Sequence, residues 1–156
     1  MSAVGRTEIE MADLVGNSGA STVRARLNVA FSDPPGPYFV LIKVRESSGH
    51  GCSVDFGAGR FHQPDIVGAM TACPAGAAGQ YDGPGPYYLD IVTIPEATFE
   101  AHREDLAVGA ADLGPLHARG FVDPVVGHMA DRLHSRAAWR PAYARRARGD
   151  GRPEPI

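Results

Sequence analysis

The chain has 156 residues, a formal net charge of −3 and an isoelectric point near 6.0, so it carries no whole-chain positive field to steer it toward nucleic acid. It is 44% hydrophobic with 19 glycines and 13 prolines, a composition that disfavours a bundle of long helices and favours short elements joined by tight turns. One domain of this length hides about 70% of its unfolded surface, enough for a full core.

Residues 1–20 mix small and charged types without a period, and Arg6, Glu8, Glu10 and Asp13 interrupt any apolar stretch of a secretory signal. They are expected to form a flexible leader. With no long apolar run to cross a bilayer, the sequence predicts a cytoplasmic protein. From residue 23 the pattern changes: Val23, Ala25, Leu27, Val29 and Phe31 alternate with Arg24, Arg26, Asn28 and Ala30, the period of a half-buried strand. The run 32–37, Ser-Asp-Pro-Pro-Gly-Pro, then turns the chain.

A second strand is predicted over 38–46, with Tyr38, Val40, Ile42 and Val44 on one face and Lys43 and Arg45 marking the other as partly wet. Shorter strands follow over 52–56, 60–63 and 66–73, separated by Gly57-Ala58-Gly59 and by Pro64-Asp65; residues 74–79 read as a loop. Residues 87–94 are the most β-prone run, apolar on both faces, and are expected at the centre of a sheet. Six or seven short strands about ten residues apart are the signature of a sandwich or barrel.

Pro95 changes the period. Proline at a first helical position, Glu96 in the first turn, and Phe99, His102 or Arg103, and Leu106 at helical spacing predict a helix over 95–107. After a Gly- and Pro-containing loop, Asp123-Pro124 supplies a cap and first turn for a second helix ending near Ala138, before Pro141. Val125, Val126, Met129 and Leu133 form its apolar stripe, an expected dimer interface. The organisation is thus a leader (1–20), a β body with its helices (21–138) and a basic, disordered tail (139–156), in which Arg140, Arg145, Arg146, Arg148 and Arg152 meet one acid before Glu154, Asp150.

The order of strands followed by helices resembles that of cupins, whose metal sites use a strand-borne His-x-His and a later His after a Pro-x-Gly turn. Pro74-Ala75-Gly76 supplies such a turn, but the position of the later His is Gly79. The nearest substitute for the first motif, His50-Gly51-Cys52 with Asp55, departs from the usual spacing and begins in a turn. His62, His102, His117, His128 and His134 do not converge in sequence, and no nucleophile elbow, phosphate loop or His-Glu-x-x-His motif occurs. Cys52 and Cys73 lie far apart and are expected to be free thiols. No catalytic, metal or cofactor residue is therefore assigned, and the chain is expected not to be an enzyme. Two helices separated by a long loop do not make a helix-turn-helix.

From residue 38 to about 138 the chain resembles the N-terminal domain of AraC-type transcription regulators. The likeness rests on the strand at 38–45, the run Val54-Asp55-Phe56-Gly57-Ala58-Gly59-Arg60, and the Tyr-Leu-Asp-Ile-Val-Thr-Ile-Pro strand at 88–95 leading straight into a helix. Gly120-Phe121-Val122-Asp123-Pro124-Val125-Val126-Gly127-His128-Met129 adds the Asp-Pro-opened helix. The resemblance implies a mainly β, cupin-like barrel or jelly roll followed by two C-terminal α-helices. Its implied roles are small-molecule sensing and dimerisation, as a homodimer or as a heterodimer with a full-length regulator. Such regulators continue into two helix-turn-helix units, so no specific DNA binding is expected from this chain alone. The alternatives are a small cupin-type metal-dependent enzyme using His50 and Cys52, and nonspecific nucleic-acid binding through the arginines of the tail.

Overall fold

The computed structural model describes residues 7–15, 19–28, 30–103 and 114–148. In chain order these form β1 (Thr7–Val15), β2 (Ala20–Leu27), β3 (Phe31–Asp33), β4 (Tyr38–Glu46), β5 (Cys52–Asp55), β6 (Arg60–Gln63), β7 (Met70–Cys73), β8 (Gly79–Asp82) and β9 (Tyr87–Pro95). Helix α1 (Glu96–Arg103), a 3-10 turn (Gly114–His117) and helix α2 (Pro124–Arg148) follow. The strands make two antiparallel sheets, β1-β2-β9-β4-β7 and β3-β8-β5-β6. This is the mainly β class, with helices at its C-terminal end, that the sequence predicts.

Strand alternation places the core between the sheets. In the first sheet Ala25 and Val44 flank Leu89, and Leu27 lies opposite Tyr87. All five are buried, and they share one cluster with Val54, Phe56 and Tyr81 of the second sheet's side. β9 occupies the middle of its sheet, between β2 and β4, as its two apolar faces predict. The β5–β6 turn is made by Gly57 and Gly59 at φ of 89° and 110°, a region closed to most other residues.

Several sequence expectations are corrected. Residues 7–15 of the expected leader are a strand paired with β2; a bulge between Ile9 and Met11 shifts the register, which breaks the alternation by which a strand is recognised. The alternating run 23–31 is two strands, because β2 ends at Leu27 and Phe31 opens β3 in the other sheet. Strand β7 begins at Met70, after a turn in which Ala69 N donates to Ile66 O at 2.9 Å. Gly79 opens β8, which the predicted 74–79 loop concealed. The first helix starts one residue later than predicted, because Pro95 remains in β9; its expected end at 104–107 and Leu106 lie outside the described residues.

Helix α2 begins as predicted. Asp123 Oδ1 accepts hydrogen bonds from the backbone N–H groups of Val125 at 2.8 Å and Val126 at 3.1 Å, the geometry of an N-cap. It does not stop near Ala138 but continues to Arg148, so residues 139–148 of the expected disordered tail are helical and 149–156 lie outside the described residues. The physical reason is composition: Ala137, Ala138, Ala142, Ala144 and Ala147, with arginines between them, are the strongest helix formers and outweigh the single Pro141. No helix among the described residues is long and apolar enough to cross a membrane.

The outer face of the five-stranded sheet differs from the expected wet surface. Asp90 lies opposite Arg24 on one side and Lys43 on the other, a row of charges across β2, β9 and β4. Arg24 Nε donates to Asp90 Oδ1 at 2.9 Å, and Asp90 is only 2% exposed. Lys43 is 8% exposed because α2 lies over it: its Nζ pairs with the Asp131 carboxylate and approaches the Gly127 carbonyl at 3.5 Å. Among the described residues of α2, Ala130 and His134, one helical turn apart, are the buried positions. Over this stretch the helix is seated by charge pairing and a histidine, with Val125 and Met129 exposed.

Candidate ligand-binding cavity

Between the two sheets lies a mostly apolar cavity of about 40 Å³ that opens to solvent at one side. Ile42, Val44 and Leu89 of the first sheet face Val54 and Phe31 of the second across it. Four polar side chains interrupt this lining, Gln63, Thr71, Tyr81 and Tyr87, and the rim carries His50, Cys52, Pro64 and Asp65. The volume is a fraction of the roughly 150 Å³ that admits benzene to an engineered protein cavity. It therefore admits little more than one functional group, the rest of a ligand leaving through the rim.

The polar groups are held by identifiable local chemistry. Tyr81 stacks on Phe31 with ring centroids 4.1 Å apart and meets Phe56 edge-on at 5.8 Å. Its hydroxyl is buried without a hydrogen-bond partner, and burial, reinforced by the charge of Asp33, pushes its pKa far above the ordinary phenol range. Burial also pushes Tyr87 up to about 12, although its hydroxyl lies beside the Cys52 thiol and the Gly85 backbone. Both phenols therefore stay neutral, and neither hydroxyl has a hydrogen-bond partner. Gln63 is buried, and neither its Oε1 nor its Nε2 has a partner.

The rim is organised by Asp65. Its Oδ2 accepts hydrogen bonds from the Ser47 hydroxyl at 2.9 Å and from the backbone N–H groups of Ser48 at 2.6 Å, Gly49 and His50 at 3.1 Å. Burial pushes its carboxyl up, but these donors outweigh that and hold it below the ordinary carboxylate range. The mouth is thus marked by a fixed negative charge.

Strand alternation decides the fate of the residues considered as metal ligands. Cys52 points toward the cavity, whereas Asp55, three residues on, takes the other face and caps its own turn, Oδ1 accepting from Gly57 N at 2.7 Å. His50 sits exposed at the rim. His62, His102 and His128 are exposed and His134 is buried under α2, so they do not assemble. Among the described residues no three His, Cys, Asp or Glu side chains converge. Both cysteines are free thiols; burial pushes Cys52 up and Cys73 up to about 11, so neither offers a ready thiolate. Gly79, where a cupin's later histidine would stand, lies under Tyr81, and a Cβ there would come within 2.9 Å of the ring and hydroxyl. An amide, two neutral phenols and protonated thiols do not fit a transition-metal centre.

The segment leading into α2 packs against two strands that contribute to the cavity, through Gln63 of β6 and Met70 of β7. Strands β6 and β7 are edges of their respective sheets. Phe121 bridges β7 through two backbone hydrogen bonds, Met70 N to Phe121 O at 2.8 Å and Phe121 N to Met70 O at 2.9 Å. Beside it Gly120 packs on the Gln63 side chain so closely that a Cβ there would lie 1.9 Å from Oε1. Of the expected interface residues, Val125 and Met129 are 69% and 61% exposed, while Val126 and Leu133 are half-buried. Sequence reasoning missed Gln63, Thr71 and Tyr81 as lining residues, because the faces of short strands follow from a register that one sequence does not fix.

No family model matches the chain, and no curated protein does. Among solved structures it is similar to the EutQ protein of Clostridium difficile, at 13% identity and a TM-score of 0.45, over 60% of this chain and 71% of that one. It is also similar to the cupin domain of Cnp3 from Schizosaccharomyces pombe, at 11% identity and a TM-score of 0.47, over 71% of this chain and 76% of that one. A third similarity is to oxalate decarboxylase of Bacillus subtilis, at 11% identity and a TM-score of 0.41, over 75% of this chain and 40% of that one. At these identities nothing of their chemistry carries over to this chain.

Proposed function

We propose that this chain is a ligand-sensing and dimerisation domain of the kind found in AraC-type regulators, acting by protein contact rather than by catalysis. The observation that carries this reading is the cavity between the sheets, one of whose lining residues, Gln63, packs on Gly120 of the segment that runs through Phe121 into the capped start of α2. A ligand taken between the sheets acts on Gln63, and the root of α2 is one contact away. Met129 and Leu133, with Arg132 and Arg136, line a groove of about 310 Å³ on α2, a surface suited to an apolar partner helix.

Two measurements test the reading. A nuclear magnetic resonance titration of the full chain with small neutral amphiphiles is expected to shift the amides of Ile42, Val54 and Leu89 together with those of residues 121–127; no shift at either group overturns the sensing role. Light scattering is expected to give a dimer that becomes a monomer when Met129 and Leu133 are both changed to glutamate. A strict monomer, unaffected by those changes, overturns the dimerisation role.

A further inference from the structure

The net charge of −3 conceals a segregation of sign along the chain. Helix α2 carries six arginines, Arg132, Arg136, Arg140, Arg145, Arg146 and Arg148, against a single acid, Asp131, so the remainder of the chain is strongly acidic. The one acid is already engaged, because its carboxylate pairs with the buried Lys43. Arg132 and Arg136, one helical turn apart and on the side away from the buried Ala130 and His134, are exposed beside Met129 and Leu133. Neither forms an ion pair among the described residues.

We propose that α2 binds the phosphate backbone of a nucleic acid, holding its charge without reading its bases. This role goes beyond ligand sensing and does not depend on the cavity. The arginines from 132 to 148 are distributed along about 24 Å of helix, one positive charge in roughly every 4–5 Å. A nucleic-acid strand carries one negative charge in about every 3.4 Å. The two linear densities are close, whereas the carboxylates of a folded acidic protein are interspersed with cations. Each guanidinium is a planar fork of donors that can take two phosphate oxygens at once. Neutralisation also relieves the repulsion between like charges four residues apart, such as Arg132 and Arg136, which otherwise weakens the helix. An anionic bilayer is a poorer match. A helix lying on one needs an apolar face separate from its cationic face, and here Val125 and Met129 are exposed with Arg132 and Arg136 while Ala130 and His134 are buried.

The full chain, titrated against a labelled 20-nucleotide oligothymidylate and followed by fluorescence anisotropy, is expected to bind it at about 50 mM salt. A fourfold rise in salt is expected to weaken binding about fiftyfold or more, the dependence for four or more phosphates neutralised on a single strand. Arg132→Gln with Arg136→Gln is expected to weaken binding about tenfold and to flatten the log–log salt slope by roughly 1.4. Its circular dichroism is expected to match the parent's, since glutamine and arginine have similar helix propensities. Arg145→Gln with Arg146→Gln and Arg148→Gln is the second variant should the first disturb the seating of α2, and is expected to flatten the slope by roughly 2. No binding at about 50 mM salt, or binding whose affinity and slope are insensitive to both variants, overturns the proposal. Polyglutamate of equal charge that binds as tightly as oligothymidylate also overturns it, marking α2 as the seat of an acidic protein. Binding to phosphatidylserine vesicles without binding to the oligonucleotide overturns it in favour of a membrane surface.

Discussion

The two faces of the five-stranded sheet are written in the same alternating pattern yet are buried in different ways. On the inner face Ala25, Val44 and Leu89 pack into the common core, and Val44 and Leu89 line the cavity. On the outer face, one residue along each strand, Arg24, Lys43 and Asp90 are covered by α2, with His134 buried among them. Apolar burial is non-directional and gains with area, whereas buried charges are tolerated only when paired in a fixed geometry. The inner face therefore supplies stability, and the outer face fixes where α2 sits at a smaller net gain.

Neighbouring substitutions on β9 separate these contributions. Leu89→Ala, on the inner face, is expected to cost about 3–4 kcal/mol in urea unfolding, from lost transfer energy and the enlarged cavity. Asp90→Ala, on the outer face, is expected to cost about 2–3 kcal/mol by the same measurement, below the range for fully buried pairs because Arg24 keeps 34% of its side chain in water. A larger loss at Asp90 than at Leu89 breaks the comparison. Asp123→Ala removes the cap of α2 and is expected to cost about 1 kcal/mol, with the loss of helical circular dichroism near the start of α2 confined to that element.

The smallest expected effect at neutral pH is that of His134. Burial lowers its pKa, Arg24 and Lys43 lower it further, and Asp90 and Asp131 oppose them without prevailing. The unfolded chain takes up the proton at about pH 6.5, while the folded chain resists it to lower pH. Stability from this residue is therefore complete above about pH 6.5 and falls as the pH drops below that value. His134→Leu is expected to leave the neutral-pH midpoint unchanged or slightly higher, since both ring nitrogens lack partners, and to flatten the acid limb of a stability–pH curve. An acid limb identical to the parent's removes His134 as its origin.

The same two faces explain what was legible in the sequence. Wherever a strand buries one apolar face, alternation alone identifies it, and β4 and the central β9 lie where their residues predict. The Asp123 cap was equally legible, because its chemistry is local. The burial of Lys43 and His134 was hidden, since a pattern of apolar and polar residues assigns every charge to solvent and contains no term for a helix arriving from more than eighty residues away. The packing of Gln63 was hidden as well, since beside His62 it reads as a strand end until the segment holding Gly120 is laid against it.

The length of α2 gives the geometry of its root a mechanical meaning. Twenty-five helical residues span roughly 37 Å, so a tilt of about 10° at the Asp123 end carries the Arg148 end through roughly 6 Å. The contacts that seat Ala130, Asp131 and His134 on the sheet therefore decide where the far end of the helix lies.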